Sequence, residues 1–453
     1  MPKFVGRACR TALALTMITS SAHAGELIMI AGIPVDFILF GLTLLCVALF
    51  HNHTLYVGLG GLSVITLYKL VFTGFKTGSG LEGLELHLIH EWVTLGNLFL
   101  LLMGFVLLSR HFEKSHLPVI LPKYLPHDWK GGFVLLVLVF IMSGFLDNIA
   151  AAMIGGAMAH QLFNARVHVG YLAAIVAVSN AGGAGSVLGD TTTTMMWIAG
   201  VNPVTVLDAY IAAVVALLIT GYFGAKQQQA YSPILKHSHA HTRVDKVRIG
   251  IVAMILIFAV STNVLVNMKF SSMADHFPFL GAAVWLAIIL SVPLRRPDWE
   301  VLPETFKGTI FLLSLVTSAS MMPVEKLPIP TAMTTLGLGF LSSVFDNIPL
   351  TELALKQGGY DSGILAYAVG FGGSMVWFGS SSGVAISNLF PETKSVITWL
   401  RKGWHVPVAY VAGFAVLYAT LGWNPDLSKK NHNNTPNATH TSPSPIKKNG
   451  EVA

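Results

Sequence analysis

Two Asp-Asn pairs stand in otherwise apolar sequence. Asp147-Asn148 lies within Phe145-Leu146-Asp147-Asn148-Ile149, and Asp346-Asn347 within Val344-Phe345-Asp346-Asn347-Ile348. A carboxylate offers negative charge and hard oxygen ligands, and the adjoining carboxamide adds a neutral carbonyl oxygen. That donor set suits Na+, Li+ or another hard cation, and it equally suits a proton. Asp and Asn also cap helices, but a cap explains poorly why the same pair recurs 199 residues later. A third acid, Asp190, follows Gly189 and precedes Thr191-Thr192-Thr193-Thr194. It reads as the N-cap of a helix restarting after a break, where Ser380, after Gly379, is its counterpart. The hydroxyls of Thr191, Thr192, Ser380, Ser381 and Ser382 are candidate ligands there, against the plainer role of satisfying interrupted backbone. Asn180 is a further candidate, and the alternative for it is a hydrogen bond between helices. Glu91, after His87 and His90, enters an apolar run and is a candidate for proton transfer.

The elements that must hold these groups are membrane helices. The chain has 453 residues, of which 53% are hydrophobic and only 11% charged, less than half the charged share of an ordinary soluble domain, about 25%. Apolar runs of the length a bilayer requires, about 20 residues, fall near 34–50, 54–74, 88–109, 203–224, 248–267, 277–294, 305–322 and 404–422. Two other stretches, 131–200 and 329–390, are apolar but broken by Gly, Ser, Thr, Asn and Asp. Interrupted backbone at membrane depth is tolerated only where protein or a water-filled cavity surrounds it. These stretches echo each other. Ala181-Gly182-Gly183 with Leu188-Gly189-Asp190-Thr191 matches Phe371-Gly372-Gly373 with Phe378-Gly379-Ser380-Ser381 at an offset of 190. Broken segments at matching places in two halves point to a transporter's binding site.

Charge sets the threading. With residue 25 outside and one re-entrant hairpin plus one crossing in each broken stretch, 19 of the 28 Lys and Arg fall on the inside, as the positive-inside rule requires. The hairpin at 131–163 then enters from inside and that at 329–360 from outside. The expected fold is an all-α polytopic membrane protein with two inverted repeats, each with a re-entrant hairpin and a broken transmembrane helix. Its parts are a signal sequence or first anchor (1–24), an N-terminal half (25–224), a basic cytoplasmic linker (225–248), a C-terminal half (249–423) and a disordered tail (424–453). The basic start, short apolar stretch and Ala22-His23-Ala24 form a secretory pattern and imply a bacterial-type inner membrane. The net charge of +6 does not signal nucleic acid, because the basic residues sit in short loops. Cys9 and Cys46 form no metal or redox motif. His237, His239 and His241 lie in a basic loop and read as solvated, and His87-x-x-His90-Glu91 is not a zinc-protease motif. No cofactor is expected, and no metal beyond a transported cation.

The run from Asn180 through Gly189-Asp190-Thr191-Thr192-Thr193-Thr194 to Trp197, with Phe145-Leu146-Asp147-Asn148 before it, resembles NhaD-type sodium/proton antiporters. So does Phe345-Asp346-Asn347-Ile348-Pro349-Leu350 followed by Gly372-Gly373-Ser374 and Gly379-Ser380. That family belongs to the ion transporter superfamily that includes arsenite and citrate permeases. The likeness spans roughly residues 85–420. It implies a scaffold plus a moving transport domain, an ion site of the Asp-Asn pairs, Asp190 and the adjoining hydroxyls, transport of Na+ or Li+ against H+, and a homodimer in the lipid bilayer. The chain departs from the pattern at Ala150 and Ala151, where the family carries hydroxyls, and at Gly185-Ser186-Val187, where it has a Trp-Ser-Pro-like segment. These departures bear on which ion is carried.

Two rival functions follow from the same residues. An anion permease of this superfamily would carry citrate, a dicarboxylate or arsenite, but Asp147 and Asp346 repel an anion unless neutralised. An intramembrane aspartyl protease would use Gly-x-Gly-Asp, but Val187 stands where its first glycine belongs. The reading is therefore a transporter and not an enzyme.

Overall fold

The computed structural model describes residues 28–50, 53–120, 125–234, 243–269, 273 and 276–425. The expected signal segment, the His237–His241 tract and the tail from 426 lie outside them.

The chain is all-α apart from a two-stranded hairpin, β1 (Met29–Ile30) with β2 (Ile33–Pro34). The first helices are α1 (Val35–Leu49), α2 (Thr54–Tyr68, continued by a π-helical turn Lys69–Thr73), α3 (Gly80–Glu113) and the short α4 (Leu117–Ile120). Then come α5 (Trp129–Ser143), α6 (Asn148–Leu162), α7 (Val169–Ala184) and α8 (Thr191–Ile198). The short α9 (Pro203–Leu207) leads into α10 (Ala209–Tyr231), which is followed by α11 (Lys246–Lys269), α12 (Phe279–Ser291) and α13 (Leu302–Ser320). The last group is α14 (Ala332–Ser342), α15 (Asn347–Gln357), α16 (Ser362–Gly372), α17 (Ser381–Leu389), α18 (Val396–Lys402) and α19 (His405–Leu421).

Among the described residues, four helices are long and apolar enough to cross a membrane: α2 with its π turn, α3, α9 with α10, and α11. The pair α18–α19, bent by 60°, makes a fifth if it is one span. This architecture is consistent with a polytopic membrane protein. Its outward faces agree: Leu42, Leu45 and Leu49 on α1, Ile257 and Val260 on α11, and Leu286, Ile289 and Leu290 on α12 are all exposed.

The broken stretches behave differently. At 1.5 Å per residue, the 16-residue α7 reaches about 24 Å, short of a hydrocarbon core of about 30 Å. It ends at Gly185, and the chain restarts as α8 only at Thr191. The 11-residue α16 ends likewise, and α17 begins at Ser381. Both helices are buried on every side, from Gly170 to Ala184 and from Ser362 to Gly372. Each is held by the helix hairpin before it: α7 packs on α5 and α6, and α16 on α14 and α15. Beyond the breaks the packing crosses over, with α8 against α15 and α17 against α6. The main apolar core gathers around α7, α10, α16 and α19. A second core joins α1, α2 and α13 to α15.

Small residues let these elements meet. A side chain on Gly182 would strike the carbonyl of Phe140, and one on Gly372 the carbonyl of Gly339. The Ser143 hydroxyl donates to the Ser179 carbonyl at 2.5 Å, and Ser342 to the Val369 carbonyl at 2.9 Å. These contacts occur at corresponding places in the two broken stretches.

Sequence reading passed over one buried ion pair. Lys69 Nζ donates to Asp36 Oδ1 at 2.9 Å, joining the π turn of α2 to the start of α1, with side-chain exposures of 6% and 0%. Removing one partner of such a pair strands a charge. Lys69→Met should therefore destabilise the detergent-solubilised protein by about 3–5 kcal/mol, read as a fall in thermal midpoint. Asp36→Leu added to Lys69→Met should recover most of the loss.

Candidate functional site

Four helix N-termini converge inside the bundle, and each is capped by one of the residues singled out above. An N-terminus leaves backbone N–H groups without an intrahelical partner, and a side-chain oxygen just before it supplies an acceptor. Asp147 Oδ2 accepts from Ile149 N at 3.2 Å ahead of α6, and Asp346 Oδ1 accepts from Ile348 N at 3.0 Å ahead of α15. Asp190 Oδ1 accepts from Thr192 N at 3.3 Å ahead of α8. Ser380 Oγ accepts from Gly383 N at 3.3 Å ahead of α17. In each case one oxygen meets the capping need, and each aspartate keeps a second.

Asp147 and Asp346 are half-buried, whereas Asp190 is 2% exposed. Asp147 and Asp346 both lie within electrostatic reach of Asp190. Asp190 Oδ2 is buried with no hydrogen-bond partner among the described residues. The Thr192 hydroxyl lies beside that carboxylate and interacts with it, though not in the alignment of a full hydrogen bond. A buried carboxylate oxygen without a donor is costly unless a cation or proton joins it.

Two cavities touch the acids at matching places. One, of about 10 Å³, lies between α3 and the first break and is lined by Leu98, Leu101, Asp147, Leu188, Asp190, Thr191 and Thr194. It has room for about one water-sized body. The other, a cleft of about 160 Å³, is lined by Leu44, Phe311, Asp346, Phe378, Ser381 and Val384. Leu188, Thr191 and Thr194 correspond to Phe378, Ser381 and Val384 at the offset of 190.

Asn180 joins the two broken stretches. Its Oδ1 accepts from Asn148 Nδ2 at 3.0 Å and from Ser382 Oγ at 2.8 Å, and its Nδ2 donates to Ser374 Oγ at 2.9 Å and Ser380 Oγ at 3.1 Å. Its amide is fully used. Thr193 and Thr194 hold the first break, their hydroxyls donating to the carbonyls of Ser186 and Val187 respectively and both to that of Asp190. Asn347 is buried, and Thr351 Oγ1 donates to its backbone carbonyl at 2.8 Å.

Glu91 is not drawn into this group. It sits seven residues before Leu98 on α3, about 10 Å along the helix. There Lys356 Nζ donates to its Oε1 at 2.5 Å and also lies 3.7 Å from Glu352. Sequence reading missed Lys356, Ser374 and the Asp36–Lys69 pair. The lysines carried a signal, since Lys69 lies inside an apolar run and Lys356 lies four residues after Glu352. Ser374 stands in the Gly372-Gly373-Ser374 segment of the resemblance, but only its bond from Asn180 shows what it does.

No protein-family model matches the chain. It is similar to "Sodium/proton antiporter 1" of Arabidopsis thaliana, at 25% identity over 335 residues, 64% of this chain and 55% of the relative. It is also similar to "Sodium/proton antiporter 2" of the same plant, at 24% identity over 338 residues, 65% of this chain and 74% of the relative. The match thus spans little more than half the length of the first.

The Asn180 network makes a structural prediction. Asn180→Ala leaves four partners without their bonds and should cost about 1–3 kcal/mol, measured as a lowered thermal midpoint in detergent. Thr191→Val, at a hydroxyl outside that network, should leave the midpoint within the range of ordinary surface changes, about 0.5 kcal/mol.

Proposed function

We propose that the chain is a secondary transporter exchanging Na+ (or Li+) for H+ across a bacterial-type inner membrane. The observation that carries this reading is the buried, unpartnered Oδ2 of Asp190, set beside the Thr192 hydroxyl and sharing a cavity with Asp147. The similarity to two proteins named sodium/proton antiporters supports it.

In this reading Asp147, Asp190 and Asp346 are the charged carriers, and Asn148, Asn347, Thr191, Thr192 and Ser381 contribute oxygens. Asn180 and Ser380 hold the frame of the site. The halves 25–224 and 249–423 are inverted repeats, each with a re-entrant hairpin (α5–α6, α14–α15) and a broken helix (α7–α8, α16–α17). The recurring caps, glycine contacts and crossed packing support that arrangement. Exchange follows from the cost of a bare charge in a medium of low dielectric constant. Empty, the carboxylates resist crossing; each cation or proton that binds removes one unit of that charge. Cation and proton compete for the same oxygens, so one leaves when the other binds.

Asparagine caps a helix about as well as aspartate, so Asp→Asn removes charge and keeps the cap. Asp147→Asn, Asp190→Asn and Asp346→Asn should each reach the membrane in normal amount and lose exchange. The assay is recovery of a pH-sensitive dye in acid-loaded everted vesicles after addition of NaCl, LiCl or KCl. The Na+ concentration for half-maximal recovery should fall as pH rises, because fewer protons compete. Full activity in all three variants would end the carboxylate mechanism. Silence of the unmodified chain toward every cation, with uptake of labelled citrate or arsenite, would make it an anion permease.

A further inference from the structure

The two broken stretches differ at one triad of positions. In one, Asn180 on α7 donates to Ser374 Oγ and Ser380 Oγ, so the cap of α17 is saturated by an amide. At the offset of 190, Asn180 corresponds to Gly370, and Ser374 and Ser380 correspond to Ala184 and Asp190. The geometry corresponds as well. A Cβ placed on Gly370 would lie 3.2 Å from Asp190 Oδ2 and 3.3 Å from the Ala184 Cβ. Three hydrogen-bonding side chains on one side are thus matched on the other by a glycine, an alanine and a carboxylate. Asn148 has Asn180 as its partner, and the position that corresponds to Asn180 for Asn347 is again Gly370.

Two facts set Gly370 apart from a packing glycine. It lies inside α16, where glycine costs helix stability relative to alanine, so something other than helix formation retains it. The oxygen it faces is the buried one that accepts no well-aligned hydrogen bond among the described residues, with only the Thr192 hydroxyl beside its carboxylate. The titratable groups around that oxygen are two further carboxyls, Asp147 and Asp346. The nearest cation along α15, Lys356, is engaged by Glu91 and Glu352.

We propose that Gly370 withholds from Asp190 Oδ2 the kind of donor across the helix pair that Asn180 gives Ser380, leaving the Thr192 hydroxyl as its nearest protein group and a mobile cation to complete it. Gly370 is thereby a positioning and specificity-determining residue for cation binding. The proposal rests on the exchange reading above. Serine at 370 supplies both bulk and a hydroxyl within reach of Oδ2, whereas alanine supplies bulk alone.

The test compares Gly370→Ser, Gly370→Ala and Asp190→Asn with the unmodified full-length chain in the dye assay, with membrane amounts measured. Gly370→Ser should raise the Na+ concentration for half-maximal response about tenfold, the scale of losses when a ligand's surroundings change, with maximal rate retained. Gly370→Ala should give a clearly smaller rise. Equal shifts in the two variants would assign the effect to packing and overturn the proposal. So would no shift in either while Asp190→Asn is inactive. If Gly370→Ser fails to reach the membrane, Ala184→Gly is added to make room, and the double variant is judged against Gly370→Ala with Ala184→Gly by the same criteria. A cation-silent unmodified chain would instead defeat the exchange reading, and this proposal with it.

Discussion

Four helices begin in the interior of this bundle, and their unpaired backbone N–H groups must find acceptors there. The acceptors are the side chains just before each helix. Asp147, Asp190, Asp346 and Ser380 meet that need through one oxygen each. The remaining carboxylate oxygens are then fixed by backbone that cannot be rearranged without uncapping a helix, those of Asp147 and Asp190 against one cavity and that of Asp346 against another. The breaks, the crossed packing of α8 on α15 and α17 on α6, and the glycines at the close approaches all serve to bring those four termini together.

The second consequence is electrical. Asp147 and Asp346 each lie within electrostatic reach of Asp190, in an interior that solvates charge poorly. The lysines inside the apolar sequence are engaged elsewhere: the buried Lys69 with Asp36, and the partly exposed Lys356 with Glu91 and Glu352.

The two broken stretches share a plan but not its chemistry. Asn180 fills one side with an amide, and Gly370 leaves the other side bare. The cavity against α3 is close to the size of one water, while the cleft against α1 and α13 is far larger. Duplication of a frame therefore does not require duplication of a binding site. In one stretch the amide of Asn180 ties the two together; in the other, Gly370 contributes no such bond.

Much of this is legible in residues 131–200 and 329–390 alone. The helix caps are, because a capping bond runs to a residue two or three positions on and is set by local chain geometry. The apolar runs are, because burial in a bilayer or a core selects composition along the chain. The duplicated Asp-Asn and Gly-Asp or Gly-Ser patterns mark the capping residues by their recurrence. What the sequence leaves open depends on what packs across from those residues. Asn180 is tied to serines about 200 positions away, Glu91 is drawn to Lys356 rather than to the capping acids, and Asp190 Oδ2 faces a glycine. Whether a given oxygen ends up paired is decided by the approach of a distant helix. No run of neighbouring residues encodes that, because hydrogen bonds reach only about 3 Å and the tertiary fold alone chooses which groups come that close.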